Sequence, residues 1–129
     1  MIKVLKFGGT SVGSAANMKK VAEIVRREQA RITVLSAMSG TTDSLVRISR
    51  AAASGDRNAI EEQLAMLTDK YTRCIEELLR ERKQQALARM NATFGLIRDE
   101  AAAFAEYESE RKIIAQGELL TSAIFTAYL

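Results

Sequence analysis

The stretch "VLKFGGTSVGS", residues 4–14, decides how this chain is read. It starts as a short apolar strand, with Ile2, Val4 and Leu5 ahead of Lys6, and then runs into two adjacent glycines and a pair of hydroxyl residues. A lysine at the point where a buried strand runs out is costly unless an anion meets it. Glycines let a backbone approach a ligand closely, and the N–H groups and helix N-terminus that follow favour negative charge. The pattern differs from a Walker A loop, whose lysine follows its glycines, and from the spaced glycines of a dinucleotide fingerprint. The residues alone leave two readings open: a phosphate-binding loop, or a structural turn with Lys6 snorkelling to solvent.

Working outward, "IKVLKF" (2–7) and "RITVLSA" (31–37) are both rich in β-branched and apolar residues and read as strands. Between them Met18, Val21, Ala22 and Val25 fall at helical spacing, which predicts a helix from about 15 to 30. The result is a βαβ unit with a right-handed crossover and a parallel sheet. Both strands then end on one edge, where the loops "FGGTSVG" and "MSGTTD" open side by side. Ligands of open α/β sheets bind at that edge.

Beyond the second loop, Leu45, Ile48 and Ala52 predict a short helix that "SGD" at 54–56 interrupts. Two apolar stripes at steps of three and four follow: Ile60, Leu64, Leu67, Tyr71, Ile75, Leu78, then Leu87, Met90, Phe94, Ile97, Ala101, Phe104. The charged "RERKQQ" between them reads as a polar turn, so the pair is expected to fold as an antiparallel helical hairpin whose stripes are core. The last stretch, "SERKIIAQGELLTSAIFTAYL", is helical again and holds Gly117 and Glu118 in mid-pattern. A helix-interior glycine costs about 1 kcal/mol relative to alanine and so points to a packing or functional reason. The chain stops at Leu129 without a terminating glycine, proline or polar tail, the texture of an interrupted helix.

Composition removes several classes of function. The chain has 129 residues, no histidine and one cysteine, so His-based triads, His-ligated zinc and an internal disulfide are excluded. Cys74 falls in an amphipathic pattern and is expected to be a buried core thiol. The net charge of +3 is too small to indicate nucleic acid, and the densest basic run, "RERKQQALAR" (80–89), lacks interleaved aromatics and reads as a solvated helix. Neither a membrane span nor a signal peptide is read in the sequence, and a soluble cytoplasmic protein is expected. Asp43 is expected to cap a helix beginning at Ser44 rather than to bind metal.

Taken together, "VLKFGGTSVGSAANMKKVAEIV", "VLSAMSGTTDSLV" and "IIAQGELLTS" resemble the three consecutive signature blocks at the N-terminus of aspartate kinases, within the amino-acid kinase superfamily. The resemblance implies an α/β fold: the parallel-sheet βαβ core of the amino-acid kinase (carbamate kinase-like) fold, truncated, with a long helical hairpin insert. It implies a βαβ core with phosphate and substrate loops over 1–56, the hairpin over 57–107 and a substrate-binding helix over 108–129. The implied reaction is transfer of the γ-phosphoryl group of ATP to the β-carboxylate of L-aspartate, with Mg2+ held mainly by residues beyond this chain. The segment alone is then expected to be inactive and its parent to be a homo-oligomer acting on small molecules, without nucleic acid or membrane. Another amino-acid kinase, of glutamate or acetylglutamate type, and a non-catalytic helical interaction module are the alternatives.

Carried over residue by residue, the resemblance makes Lys6 the catalytic lysine and Gly8 and Gly9 the lining of the ATP phosphates. Thr10 and Ser11 add donors in the same loop. Thr42 falls on the family's substrate-contacting threonine, and Ser36 and Gly40 shape that loop. Glu118 falls on the glutamate that engages aspartate through its α-ammonium, with Gly117 giving the substrate room. The bland readings are that Ser36 and Thr42 are ordinary loop and capping residues and that Glu118 is a solvated helix residue. No metal ligand is assigned within the chain.

Overall fold

Ser14 ends the glycine loop and starts a helix: its hydroxyl accepts from the Asn17 N–H at 3.1 Å, meeting one of the donors that a helix N-terminus leaves unpaired. The computed structural model describes residues 2–129. In it this helix, α1 (Ala15–Glu28), returns the chain from β1 (Val4–Phe7) to β2 (Ile32–Leu35). The two strands pair in parallel, Val4 opposite Ile32 and Phe7 opposite Leu35, which is the expected βαβ unit. Gln29 takes a left-handed conformation, φ 51°, and the Gln29 and Ala30 N–H groups close the last turn of α1 on Arg26 and Val25.

The sheet is covered on one side. Leu5 and Phe7 pack against the core and Leu35 is buried, whereas Val4, Ile32 and Val34 are 58%, 51% and 46% exposed. Lys6 lies opposite Val34 in the register, on that open face. This corrects the expectation that Lys6 stands where a buried strand runs out. Its strand is buried on one face only, and the ammonium is exposed beside apolar side chains.

The helices follow one another with local stops. α2 (Thr41–Ser54) ends at Gly55, whose φ of 73° suits glycine, and Asp56 then caps α3 (Arg57–Leu78) by accepting from the Ala59 N–H at 3.1 Å. "SGD" therefore stops one helix and starts the next. The hairpin turn is shorter than expected: it runs over 79–82, and Lys83 already begins α4 (Lys83–Ala102). Leu78 and Leu79 are buried, so the turn is anchored from inside rather than being wholly polar. Arg98 on α4 makes a forked pair with Glu61 on α3, at 2.8 and 3.1 Å, across the outside of the hairpin. Exposed pairs of this kind contribute about 1 kcal/mol or less.

α5 (Glu106–Tyr128) begins where Ser109, itself fully buried, accepts from the Ala105 N–H and donates to Glu100, both at 2.8 Å. Ile60, Leu64, Leu67, Tyr71, Ile75 and Leu78 are buried, as are Met90, Phe94, Ile97 and Ala101, while Leu87 and Phe104 pack at the margin. The stripes are thus consumed within the chain, which overturns the alternative of a helical module presenting them to a partner. Cys74 is buried with its Sγ 3.9 Å from Met18 Sδ, and burial pushes its thiol up to about 11.

Two helix-interior glycines contrast. A Cβ at Gly117 would stand 2.9 Å from Ala37 Cβ, 3.2 Å from Leu45 Cδ1 and 3.3 Å from Thr41 Cγ2, because α5 crosses α2 and the loop before it at close range. A Cβ at Gly95, in α4, would meet nothing within 4 Å. Gly95→Ala is therefore expected to stabilise the chain by about 0.5–1 kcal/mol through helix propensity. Gly117→Ala gains the same propensity but overpacks a rigid contact and is expected to destabilise by about 1–3 kcal/mol. Urea unfolding of the two variants should shift the midpoint in opposite directions.

Candidate active site

The two loops at the sheet edge are joined by backbone hydrogen bonds. Ser36 N–H donates to the Phe7 carbonyl and Ser39 N–H to the Gly9 carbonyl, each at 3.1 Å. A Cβ at Gly9 would lie 2.9 Å from the Ala37 carbonyl oxygen and 3.4 Å from the Ser39 nitrogen, so Gly9 is required by the approach of one loop to the other. Gly8 has nothing within 4 Å of that position. The glycine pair, which sequence alone treats as one unit, splits into a residue that packs and a residue that stays open.

The first loop is folded on itself by Val12 N–H to the Gly8 carbonyl, 3.3 Å, and Gly13 N–H to the Thr10 carbonyl, 3.2 Å. The Asn17 amide also donates to the Thr10 carbonyl, at 3.1 Å, and Val12 is fully buried beneath. Among the described residues the N–H groups of Gly9, Thr10 and Ser11 make no hydrogen bond, and the side chains of Thr10 and Ser11 are exposed. Consecutive free N–H groups in a tight loop form a concavity suited to an anion. Lys6, just ahead of them in sequence, forms no ion pair among the described residues. Thr10, Ser11, Asn17 and Lys20 also border a shallow hollow of about 330 Å³.

The second loop turns at Gly40, φ 83°, which is the N-cap of α2; Thr41 N–H closes the turn on the Met38 carbonyl at 3.0 Å. The helix thus begins before Ser44. Asp43 is exposed in its first turn, where a carboxylate suits the helix dipole, and Gly40 takes the capping position. Thr42 is exposed at this helix start and Thr41 is buried. Thr41 Oγ1 lies 2.9 Å from the Tyr71 hydroxyl, and the Lys70 ammonium donates to the Ser39 carbonyl and, at 3.3 Å, to Thr41 Oγ1. Burial lowers the Lys70 pKa, against a smaller opposing pull from Cys74, and burial raises that of Tyr71.

Gly117 does not make room for a substrate; it makes room for Ala37, Thr41 and Leu45. Glu118, next in sequence, is exposed and lines an open groove of about 530 Å³ with Tyr107, Arg111 and Lys112. The structure brings together the loop holding Gly8 to Ser11, the loop holding Ser36 to Thr42, and the buried side of α5. No hydrogen bond among the described residues ties Glu118 to either loop. Sequence reasoning passed over Thr41, Lys70 and Tyr71. The available signal was Tyr71 itself, a hydroxyl in an otherwise aliphatic stripe, since a buried tyrosine normally finds a polar partner.

This arrangement of strand, glycine loop and crossover can be compared with known proteins, and the profile of the amino acid kinase family matches residues 1–129. The chain belongs to that family. It is similar to the aspartokinase of Chlamydia muridarum, 32% identical over 97% of this chain and 26% of the relative. It is also similar to the chloroplastic aspartokinase 1 of Arabidopsis thaliana, 34% identical over 98% of this chain and 23% of the relative. Among solved structures, E. coli aspartokinase III in complex with lysine and aspartate, in the T-state, superposes with a TM-score of 0.88 at 26% identity. That match covers 99% of this chain and 28% of the other. The chain thus spans about a quarter of the length of the relatives it matches. Its fold is the α/β amino-acid kinase fold over that part.

The split between the two glycines is testable. Gly9→Ala is expected to drive the loops apart and cost about 1–3 kcal/mol. Gly8→Ala, whose added Cβ meets nothing within 4 Å, should leave the unfolding midpoint within experimental error. Thermal unfolding of the two variants checks both outcomes.

Proposed function

We propose that this chain forms the amino-terminal part of an aspartate kinase, which transfers the γ-phosphoryl group of MgATP to the β-carboxylate of L-aspartate. A carboxylate oxygen bonds to the γ-phosphorus as the bond from that phosphorus to the bridging oxygen breaks, releasing ADP and 4-phospho-L-aspartate. The observation that carries the reading is the first loop: three consecutive N–H groups, Gly9 to Ser11, without a hydrogen bond among the described residues, following a lysine without an ion pair among them and clipped to a second loop with an exposed threonine. The names of the relatives supply the substrate class. Phosphoryl transfer asks mainly for positioning and charge neutralisation, and this chain offers both.

In this reading Lys6 offsets the repulsion between carboxylate and triphosphate, the phosphates approach along Gly8 and Gly9, and Thr10 and Ser11 supply donors. Thr42 contacts aspartate, Ser36 and Gly40 hold that loop in shape, and Glu118 meets the α-ammonium. Among the described residues no three acidic, histidine or cysteine side chains cluster to hold a metal ion, so no step is assigned to Mg2+ through this chain. The reading extends to a homo-oligomeric cytoplasmic enzyme; among the described residues no helix is long and apolar enough to cross a membrane.

In the full-length enzyme, Lys6→Ala should lower kcat by roughly a hundredfold or more with the fold intact, because its charge acts mainly in the transition state. Lys6→Arg should also fail, since a planar fork does not replace a point charge. Steady-state kinetics with near-normal turnover would remove Lys6 from the reaction.

Glu118→Gln keeps the shape and removes the charge. It should reduce kcat/KM for aspartate by roughly ten- to a hundredfold with little change in KM for ATP, given that charged hydrogen bonds contribute about 1.5–3 kcal/mol. Equal damage toward both substrates would point to a disturbed helix.

A further inference from the structure

The hairpin is more than a source of apolar stripes. Tyr71 on α3 is fully buried, with its ring edge-on to Phe94 of α4, centroids 5.9 Å apart and planes at 71°. Its hydroxyl is 2.9 Å from Thr41 Oγ1 at the start of α2, and the Thr121 hydroxyl of α5 and the Met38 backbone also bear on it. Thr121 in turn donates to the Gly117 carbonyl at 3.0 Å. One turn face of α3 therefore reaches the second loop, the N-terminus of α2 and the helix that carries Glu118.

Lys70 adds a second tie. Its ammonium donates to the Ser39 carbonyl and to Thr41 Oγ1, and stands 3.8 Å from where a Cβ on Gly40 would be. Among the described residues no carboxylate pairs with Lys70, so its hydrogen bonds go to this turn. The bonds fall on either side of Gly40, the residue whose left-handed backbone makes the turn. They sit between the clip at Ser39 N–H to Gly9 and the exposed Thr42.

We propose that Tyr71 and Lys70 are positioning residues that fix the Ser39–Thr42 turn, so that the helical hairpin sets the geometry at which the amino-acid substrate is held. The proposal rests on the reading of Thr42 as a substrate contact. Tyr71 and Lys70 act through Thr41 and the Ser39 carbonyl and touch neither substrate nor phosphate. Their removal should change recognition of the amino acid and leave the glycine loop on the far side of the clip largely unaltered.

The test uses the full-length protein with Tyr71→Phe, which keeps the ring packing, and Lys70→Met, which keeps the apolar stem. Lys70→Arg serves as the conservative variant that restores the donors. Each loss is expected to raise KM for aspartate about three- to tenfold, the scale of one or two hydrogen bonds, with KM for ATP unchanged within about twofold. Lys70→Arg should recover most of the Lys70→Met effect. Amide hydrogen exchange over 39–42 should quicken in the two loss variants while α1 keeps its protection.

Unchanged KM for aspartate, or equal loss toward both substrates with a lowered unfolding temperature, would overturn the proposal. Should the unaltered protein fail to phosphorylate aspartate, the assigned reaction fails instead. Exchange over 39–42 then decides the positioning by itself: faster exchange in the variants upholds it and unchanged exchange sinks it.

Discussion

Ala37 stands between two glycines, and the rest of the structure depends on that crowding. Its carbonyl oxygen lies 2.9 Å from where a Gly9 Cβ would be, and its own Cβ lies 2.9 Å from where a Gly117 Cβ would be. The glycine loop, the second loop and α5 meet at one small residue because the first and the last of them, at Gly9 and Gly117, bring no side chain to the meeting point. Close packing at native density makes such a junction stiff, since a single added methyl has nowhere to go. Residues far apart in the chain are thereby held in one arrangement without a charged or covalent link.

The stiffness of this junction explains the division of labour around it. Backbone groups carry the geometry, through Ser36 to Phe7 and Ser39 to Gly9, while the exposed side chains of Lys6, Thr10, Ser11 and Thr42 make no hydrogen bond among the described residues. Groups meant to meet a ligand are best left uncommitted and mounted on a frame that does not move. The hairpin behind contributes aliphatic burial over most of its length and switches to polar contacts at Lys70 and Tyr71, where it reaches the second loop.

Local and periodic features were legible in the sequence. The βαβ unit followed from two apolar runs flanking a helical stripe, and "SGD" marked a helix boundary because glycine and aspartate have opposite end preferences. What sequence reasoning missed depended on which neighbour lay across a gap. Gly9 and Gly117 look like ligand-facing glycines until Ala37 is placed between them. Lys6 reads as a charge at the end of a buried strand until the sheet is seen to be covered on one face. Tyr71 sits at a core position of its stripe, and nothing local tells that its hydroxyl meets Thr41. Asp43 reads as a good cap for a helix from Ser44, whereas the turn at Gly40 already begins α2 at Thr41.

The half-covered sheet has one more implication. Val4, Ile32 and Val34, with Ile2 just ahead of β1, give an exposed β-branched face on a sheet of two short strands, a surface prone to aggregation. Lys6 is the charge set among them. A lone cation inside an aggregation-prone strand acts as a gatekeeper, keeping like surfaces from joining through the cost of desolvating it. The lysine that suits a phosphate on one account thus also guards colloidal behaviour on another, and a neutral residue at this position would make the chain stickier whatever it did to catalysis.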